Sequence, residues 1–329
     1  MTILVTGVSG FVGAAVARRL EASSYRVRAL VRRGSPRGNL AGLDAEIVVG
    51  DVTDRNSLRR AMSGCSGVIH VAADYRLWVR DPKPMFATNV EGTRNVMFTA
   101  LELGIGRIVY TSSVATLGLT KDGKPADERT SVSFNDMIGP YKQSKFMAEQ
   151  EVRRMIAEEN LPAVIVNPST PVGPGDVRPT PTGRMIIEAV TGRMPAYVDT
   201  GLNIVHVDDV AAGHVLAYER GTVGERYVLG GRNMTLREIL TEIADITGSK
   251  PPKVRLPHVV VLPVAYVAEG WARLRGMGDP FVTIDGVKMA RKKMFFSSAK
   301  AEQELGYASR PSRQALRDAI LWFRHNGYL

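Results

Sequence analysis

The first thirteen residues (1–13), MTILVTGVSGFVG, decide the fold of this chain. Ile3–Val5 is a short apolar run that predicts a buried parallel strand, and a helical pattern follows the glycines. Gly7 allows the tight turn between strand and helix, Gly10 lets a pyrophosphate approach the backbone, and Gly13 lets the helix pack closely on the strand. The stretch therefore predicts a unit that binds a dinucleotide.

The helix after this turn is predicted over Phe11–Leu20. Its first backbone N–H groups, at Phe11 and Val12, point toward the place where the phosphates would lie. An ordinary glycine-rich turn is the alternative. A strand, three spaced glycines and a helix in this order at the start of a chain favour dinucleotide binding.

Size and composition indicate a globular protein. The chain has 329 residues, 44% of them hydrophobic and 23% charged, which is enough for about two domains with a large core. The single cysteine, Cys65, excludes a disulfide scaffold, and the five scattered histidines lack metal-ligand spacing, so no metal site is expected. No signal peptide or membrane-length apolar run is recognised, and we expect a cytoplasmic protein.

The net charge of +10 raises the question of nucleic-acid binding. The basic residues include separated Arg-Arg pairs with acidic residues between them, and Arg291–Lys293 is a short cluster. This distribution favours a solvated surface that attracts anionic small molecules, and we do not expect a nucleic-acid partner.

Apolar runs alternate with helical patterns along the first half of the chain, which predicts an α/β fold with a doubly wound parallel (Rossmann) sheet. The predicted strands are Ile3–Val5, Arg26–Val31, Glu46–Val49, Gly67–Val71, Arg107–Ser112 and Ala163–Asn167. The further predicted helices are Asp54–Met62, Phe86–Leu103, Tyr141–Glu158, Asp208–Arg220, Thr235–Thr247, Ser298–Leu305 and Ser312–His325.

The segment 168–183 is rich in Pro, Gly and Thr and interrupts this alternation. We predict a Rossmann domain formed by residues 1–168 and 203–231. A smaller α/β substrate-binding domain is predicted for residues 169–202 and 232–329.

The end of the second strand predicts which dinucleotide is bound. An acidic residue at this place would bind the ribose hydroxyls of NAD, but the chain has Arg32 and Arg33. Guanidinium groups suit a 2′-phosphate, so NADP(H) is favoured over NAD(H), the alternative being two solvated arginines. Asp51 and Val52 follow the third strand, where Asp51 can accept from the adenine amino group or cap the helix that begins near Thr53.

Tyr141 and Lys145 lie four residues apart and project from the same face of a predicted helix. A neighbouring ammonium group favours the phenolate and would lower the pKa of Tyr141. Ser112 and Ser113 end the fifth strand, at the sheet edge where open α/β sheets bind ligands. A serine that holds a substrate oxygen, together with a tyrosine that moves the proton, predicts carbonyl or alcohol chemistry.

On these motifs the chain resembles the extended short-chain dehydrogenase/reductase family over nearly its whole length. The resemblance also rests on the segment His70–Ala73, on Asn89, on Pro168 and on the segment His206–Asp209. It implies Ser113, Tyr141 and Lys145 as the catalytic residues. The predicted cofactor-binding residues are Gly7, Gly10, Phe11, Val12, Gly13, Arg32, Asp51, Val52, Val71, Ala72, Ala73, Tyr141, Lys145 and Pro168.

Within the family the chain is most similar to the hopanoid-associated sugar epimerase group, which is itself similar to dihydroflavonol 4-reductases. Residues 167–183 and 195–214 carry this closer resemblance. Family dehydratases have an Asp-Glu pair after the catalytic hydroxyl residue, but here Val114 and Ala115 follow Ser113, which disfavours dehydration. Nucleotide-sugar epimerases have an Arg-x-Gly-Asp segment where this chain has Ala290-Arg-Lys-Lys-Met294, which disfavours a UDP-sugar.

Two apolar segments are candidates for contact with the substrate or a membrane. Tyr75, Arg76, Trp78 and Arg80 follow the fourth strand and are predicted to form a substrate wall, the alternative being a surface loop. Pro257–Arg275 is predicted as a helix of the substrate domain that Pro263 interrupts, and a helix lying on a membrane surface is the alternative.

These observations predict an NADP(H)-dependent oxidoreductase that acts on a small molecule at a secondary alcohol/ketone centre by dihydroflavonol-reductase-like carbonyl reduction. The first alternative is a sugar or nucleotide-sugar epimerase that oxidises its substrate transiently with tightly held NAD(P), with a role in hopanoid lipid biosynthesis. A non-catalytic NADP-sensing protein is the second. The resemblance also implies a homodimer through the predicted helices Phe86–Leu103 and Tyr141–Glu158.

Overall fold

The computed structural model describes residues 1–120, 122–275, 280 and 282–329. Its strands are β1 (Thr2–Thr6), β2 (Arg26–Val31), β3 (Ala45–Val49), β4 (Gly67–His70), β5 (Arg107–Thr111), β6 (Ala163–Pro168), β7 (Thr170–Val172), β8 (Ala196–Val198), β9 (Gly201–His206), β10 (Arg226–Leu229), β11 (Arg232–Thr235), β12 (Val254–Leu256) and β13 (Lys293–Met294). Its helices are α1 (Phe11–Ala22), α2 (Arg55–Met62), α3 (Lys83–Phe86), α4 (Gly92–Glu102), α5 (Gly139–Glu159), α6 (Pro181–Val190), α7 (Val207–Arg220), α8 (Leu236–Thr247), α9 (His258–Arg275), α10 (Ile284–Ala290), α11 (Ala299–Leu305) and α12 (Ser312–His325).

A seven-stranded sheet forms the centre of the larger domain, in the order β3-β2-β1-β4-β5-β6-β10. Every neighbouring pair in it is parallel, which confirms the predicted doubly wound fold. The inner strands are almost fully buried because helices cover both faces of the sheet, whereas the edge strand β3 is largely exposed. Ile3 and Val5 pack into one hydrophobic cluster with α1 and α7, and Leu4 packs into another with α2, α4 and α5.

The predicted helix Phe86–Leu103 is divided in the structure. Helix α3 ends at Phe86, a π-helical turn spans Ala87–Glu91, and α4 begins at Gly92. The buried Asn89 lies in the π turn, and its side chain bonds to the Asp74 backbone and to Ser144 of α5. Such turns often mark functional sites, because the extra residue redirects a side chain out of the regular helix.

The smaller domain contains a second sheet in which β9 pairs with β7, β11 and β13. Two segments differ from the predicted domain division. Residues 203–206 were predicted in the larger domain but belong to β9 and so to the smaller sheet, whereas the following α7 and β10 lie in the larger domain. Helix α11 was predicted in the smaller domain, but it buries Ala301 and Leu305 in the core of the larger one, because its apolar face fits against α7.

Helix α9 lies on the surface of the smaller domain. The helix continues through Pro263, contrary to the predicted interruption. Pro263 is the sixth residue of α9, so its missing N–H removes only one hydrogen bond of the helix. Ala265, Glu269 and Ala272 are buried. Within the described part of the chain no helix combines the length and hydrophobicity that crossing a membrane requires. The side chains of Arg273 and Arg275 lie outside the described residues.

Candidate active site

The glycine turn has the shape that a dinucleotide needs. Gly7 has a φ of +76°, and a Cβ there would lie 2.7 Å from the backbone nitrogen of Ala72. A Cβ at Gly13 would collide with the carbonyl oxygen of Gly7. No side chain caps α1 at Gly10, so the N–H groups at the start of the helix face outward, where a pyrophosphate would accept from them. The residues present therefore fit the group that the sequence predicts.

A cationic cavity of about 590 Å³ lies beyond the ends of β2 and β3. Arg32, Arg33 and Arg60 line it together with Asp51, and Arg178 reaches it from the segment after β7. The four guanidinium groups are exposed, so they keep their hydration and their charge in the absence of a ligand. The cavity suits an anion such as a ribose 2′-phosphate.

Asp51 makes a turn rather than capping the following helix. Its Oδ1 accepts from the backbone nitrogen of Thr53 at 2.9 Å and from the Thr53 hydroxyl at 2.8 Å. The N-cap of α2 is Asp54, which accepts from the Asn56 backbone nitrogen, so the predicted capping role belongs to Asp54. Val52 is buried against Gly92 of α4.

Arg178 was not among the residues singled out from the sequence. It reaches the cavity because Asn39 holds the segment before it: the buried Asn39 side chain donates to the carbonyl oxygen of Gly175 at 3.0 Å. Arg18 of α1 in turn donates to the carbonyl oxygen of Asn39 at 2.8 Å. The proline-rich segment 168–183 indicated an interruption of the alternating strands and helices, and nothing in it predicted that Arg178 would reach the cavity.

The segment after β4 borders the glycine turn. The backbone nitrogens of Val71 and Ala72 both donate to Thr6 Oγ1, at 3.2 and 3.1 Å, and the exposed Ala73 follows them. His70 Nδ1 lies 2.7 Å from the same hydroxyl. Burial, and after it the charge of Lys145, lowers the pKa of His70 to about 3, so the imidazole is neutral.

The predicted catalytic serine and tyrosine meet at the carboxyl edge of the large sheet. Ser113 follows β5, and its hydroxyl accepts from the Ala115 backbone nitrogen at 3.1 Å. Tyr141 lies in the first turn of α5. Burial raises the pKa of Tyr141, the nearby Tyr75 raises it further, and a hydrogen bond with Ser113 lowers it in part. The side chain is therefore a neutral phenol that can donate a proton.

Lys145 does not lower the pKa of Tyr141 in this structure, contrary to the expectation from the sequence. Its ammonium group donates to the Tyr110 hydroxyl at 3.1 Å and to the carbonyl oxygen of Thr111 at 2.8 Å. Burial lowers the pKa of Lys145 to about 7, and the charge of Glu149 opposes that shift. The lysine is buried and lies one helical turn after the tyrosine.

Glu149 organises the floor of the site, and sequence reasoning missed it. This carboxylate is 1% exposed and lies one helical turn beyond Lys145. It accepts from Thr116 at 2.7 Å and from Asn167 at 2.9 Å, and the Ser112 hydroxyl also bonds to it. Arg226 forms a salt bridge with it at 3.1 Å. Its position eight residues after Tyr141 on one helix was the available signal.

Two of these groups also hold the backbone of Ser113. Thr116 Oγ1 lies 2.7 Å from the Ser113 carbonyl oxygen as well as from Glu149, so its single proton is shared between the two acceptors, and Asn167 Nδ2 donates to the Ser113 carbonyl oxygen at 3.0 Å. Glu149 thus connects α5, β6 and β10 to the serine through short hydrogen bonds. The arrangement restricts the serine to one place before a substrate arrives.

The predicted substrate wall packs against Tyr141. The rings of Tyr75 and Tyr141 have centroids 4.7 Å apart, and Trp78 is half-buried. Arg76 forms an ion pair with Asp74, with Nε 2.8 Å from Oδ1. Arg80 donates to the carbonyl oxygen of Ala272 in α9 at 3.1 Å, so this loop joins the tyrosine to the smaller domain.

Two further positions complete the edge of the sheet. Pro168 ends β6, and next to it the hydroxyl of Ser169 is buried without a hydrogen-bond partner among the described residues. Asp176 is buried and accepts from the Thr180 backbone nitrogen at 2.9 Å. Burial raises its pKa to about 6, and it was not predicted from the sequence.

Comparison with known proteins places the chain among enzymes that use nicotinamide dinucleotides. A family model described as "NAD dependent epimerase/dehydratase family" matches residues 3–230. "Putative dihydroflavonol 4-reductase" of Synechocystis sp. is 47% identical over 329 residues, covering 99% of this chain and 95% of that protein. "Sterol demethylase protein B" of Methylococcus capsulatus is 34% identical over 330 residues, covering 100% of both chains.

A solved structure has the same fold over the whole chain. The crystal structure of gox2253 is 57% identical to this chain and superposes with a TM-score of 0.90. The match covers 100% of this chain and 99% of that one. The likeness therefore includes both the large sheet and the smaller domain.

Proposed function

The chain belongs to the NAD dependent epimerase/dehydratase family, and we propose that within it the chain is an NADP(H)-dependent reductase of a ketone in a largely apolar molecule. It is an NAD(P)-dependent enzyme of the extended short-chain dehydrogenase/reductase type. Beyond the family, we propose the cofactor, the direction of the reaction and the class of substrate.

The observation that carries the proposal is the aromatic wall on the catalytic tyrosine. Tyr75 packs on Tyr141 with 4.7 Å between ring centroids, so the group that receives a proton from Tyr141 lies beside an apolar ring face. Aromatic and alicyclic ketones gain from such contact, at roughly 25 cal/mol for each Å² removed from water. The names of the two relatives, a dihydroflavonol reductase and a sterol demethylase protein, agree with a ring-containing apolar substrate.

The side chains suit reduction. The glycine turn would hold NADPH, which would supply the hydride for the carbonyl carbon. The hydroxyl of Ser113 holds the carbonyl oxygen, and Tyr141 transfers its phenolic proton to that oxygen, which becomes the alcohol. Solvent then reprotonates Tyr141. Lys145 is the residue that would hold the ribose hydroxyls.

The cationic cavity supports NADP(H) as the cofactor. Arg32, Arg33 and Arg178 would hold the 2′-phosphate, and Asp51 would accept from the adenine amino group. A 2′-hydroxyl would offer these guanidinium groups no negative charge. We therefore propose that NADPH binds more tightly than NADH.

The test measures cofactor stoichiometry with two classes of substrate. We expect one NADPH oxidised for each aromatic or alicyclic ketone reduced, and little affinity for UDP-glucose or UDP-galactose. Micromolar calorimetric binding of a UDP-sugar to the NADP-loaded protein, with turnover that leaves the cofactor pool unchanged, would establish the epimerase alternative instead. Tight NADPH binding with no turnover of any carbonyl compound would support the NADP-sensing alternative.

We also propose that two copies pair through α4 and α5. Phe98 and Met147 are exposed on these neighbouring helices, and Val90, Phe146 and Met147 line a shallow cavity there. Two copies of this apolar face would cover each other across a two-fold axis. Light scattering at micromolar concentration should give twice the 35.9 kDa mass of the chain, and a monomer would contradict the pairing.

A further inference from the structure

Helix α9 presents an apolar stripe to solvent. Val260, Val264, Val267, Trp271 and Leu274 recur at intervals of four and three residues, so they share one face of the helix. All five are exposed, with Val267 at 72% and Leu274 at 84%. The buried Ala265, Glu269 and Ala272 lie on the opposite face, which rests on the domain. We call these five residues the α9 stripe.

Solitary exposed apolar residues are common on proteins, but a contiguous row of five large ones is not. Val259 and Tyr266, exposed at its margin, widen the stripe. Leaving such a face in water forgoes roughly 25 cal/mol for each Å² that a partner would cover. The stripe therefore favours a partner with an extended apolar surface.

Cationic side chains surround the beginning of α9. Lys253 and Arg255 are exposed in β12 and just before it. His258 Nε2 bonds to the carbonyl oxygen of Ala290 at 2.9 Å, which brings the exposed cluster Arg291–Lys293 next to the first turn of α9. Among the described residues, Asp199 lies 3.6 Å from Arg255 and 4.0 Å from Lys293, and Asp136 and Glu238 lie within electrostatic reach of Lys292 and Lys293. Five cations against these three carboxylates leave the region with a net positive charge.

We propose that the α9 stripe lies flat on the surface of an anionic lipid bilayer. An apolar helix face inserts at the boundary between head groups and acyl chains, and neighbouring lysines and arginines bind the anionic head groups. No described helix is suited to cross the bilayer, so the contact is peripheral. Both features of a peripheral lipid-binding helix, the stripe and the flanking cations, are present together.

The buried side of α9 is connected to the active site. Arg80 donates to the carbonyl oxygen of Ala272, and Tyr75 in the same loop packs on Tyr141. A helix on the bilayer would thus place the substrate wall close to the lipid. An apolar ketone could then enter the site from the membrane; this second step rests on the proposed function, whereas the docking rests on the stripe and its cations.

The experiment measures binding of the full chain to vesicles by co-sedimentation. We expect binding to phosphatidylcholine vesicles that contain phosphatidylglycerol, weaker binding at high salt, and little to phosphatidylcholine alone. Val267→Glu should weaken binding about tenfold or more, because it removes an apolar side chain that the bilayer would cover and adds a charge that anionic lipid repels. Val223→Glu, a similar change at an exposed position of the larger domain, is the matched control and should bind like the wild type.

Fluorescence gives a second readout of the same contact. The emission of Trp271 should shift to shorter wavelength when anionic vesicles are added, and the shift should disappear in Trp271→Phe but persist in Trp322→Phe. Unchanged NADPH affinity in Val267→Glu would show that the variant is folded. These binding measurements use no substrate, so their failure is distinguishable from a failure of the proposed reaction.

Three results would overturn the docking. If wild-type protein fails to bind both kinds of vesicle, the stripe has no lipid function. If Val267→Glu instead reduces the mass in light scattering, the stripe is covered by a second copy of the chain. Equal binding by Val267→Glu and wild type would likewise assign any lipid binding to another surface.

Discussion

The carboxyl edge of the large sheet and the surface of α9 are built in opposite ways. At the sheet edge, Lys145, Glu149 and Asn167 are almost completely buried, and each has hydrogen-bond partners at 3.1 Å or less. On α9, five large apolar side chains face solvent. The polar groups of the edge are held in place before a ligand arrives, whereas α9 has an exposed apolar surface.

The difference has a physical cause. A proton can be transferred only between groups held at hydrogen-bond distance, so the edge requires buried polar groups whose partners are fixed. Recognition of an apolar surface requires area rather than direction. Substitutions at the edge should therefore have large effects on reaction and stability, and equivalent substitutions on the smaller domain should have small ones.

The largest expected effect is on turnover, and it distinguishes Tyr141 from the exposed Tyr266. Tyr141→Phe removes the proton donor and should lower turnover by about two to four orders of magnitude, with little change in NADPH affinity. Tyr266→Phe makes the same change on exposed α9 and should leave turnover of a water-soluble ketone nearly unchanged. Steady-state kinetics and fluorescence titration with NADPH measure the two quantities. Near-normal turnover by Tyr141→Phe would contradict the proposed mechanism.

Glu149→Gln tests the floor of the site. The substitution leaves Arg226 without its buried ionic partner and should lower the free energy of unfolding by about 3 kcal/mol. It should also make the pKa of Lys145 fall further, since the Glu149 charge opposes the effect of burial. Glu158→Gln, at an exposed position of the same helix, is the control and should change stability by less than about 0.5 kcal/mol. Denaturant unfolding measures the stability of both variants, and equal stability of the two would contradict the role of Glu149 as the buried partner of Arg226.

The buried histidine of α7 predicts sensitivity to acid. Burial lowers the pKa of His214 to about 4 from an ordinary value of 6.5. The unfolded chain therefore takes up a proton that the native chain excludes, and stability falls as the pH decreases from 6.5 toward 4. At pH 5 this histidine alone should cost about 2 kcal/mol relative to pH 7. His214→Gln should reduce the slope of unfolding free energy against pH, and an unchanged slope would contradict the assignment.

The smallest expected effect concerns the cofactor. Arg32→Asp should weaken NADPH binding by about tenfold or more and improve NADH binding, because a carboxylate repels the 2′-phosphate and accepts from ribose hydroxyls. Arg291→Asp, the same change beside α9, should leave both affinities unchanged. Calorimetric titration measures them. Equal affinities of the wild type for NADPH and NADH would refute the preference.

Local patterns in the sequence were sufficient to predict much of the fold. Arg26–Val31 and Ser312–His325 have the predicted bounds, and Thr235 and Glu238 form the predicted capping box, with Glu238 Oε2 accepting from the Thr235 backbone nitrogen at 2.7 Å. The short strands of the smaller sheet were not predicted. Gly201–His206 pairs with segments up to about ninety residues away, and this pairing has no local sequence pattern.

Local sequence patterns were enough to predict the glycine turn, the alternation of strands and helices, and the shared helix face of Tyr141 and Lys145, because each depends on neighbours within a few residues. The salt bridge between Glu149 and Arg226, and the placement of Arg178 at the cavity by Asn39, depend on the tertiary structure. It also decided which face of α9 is covered. Burial and hydrogen bonding between distant segments depend on how the elements pack, and packing brings together residues that no local pattern relates.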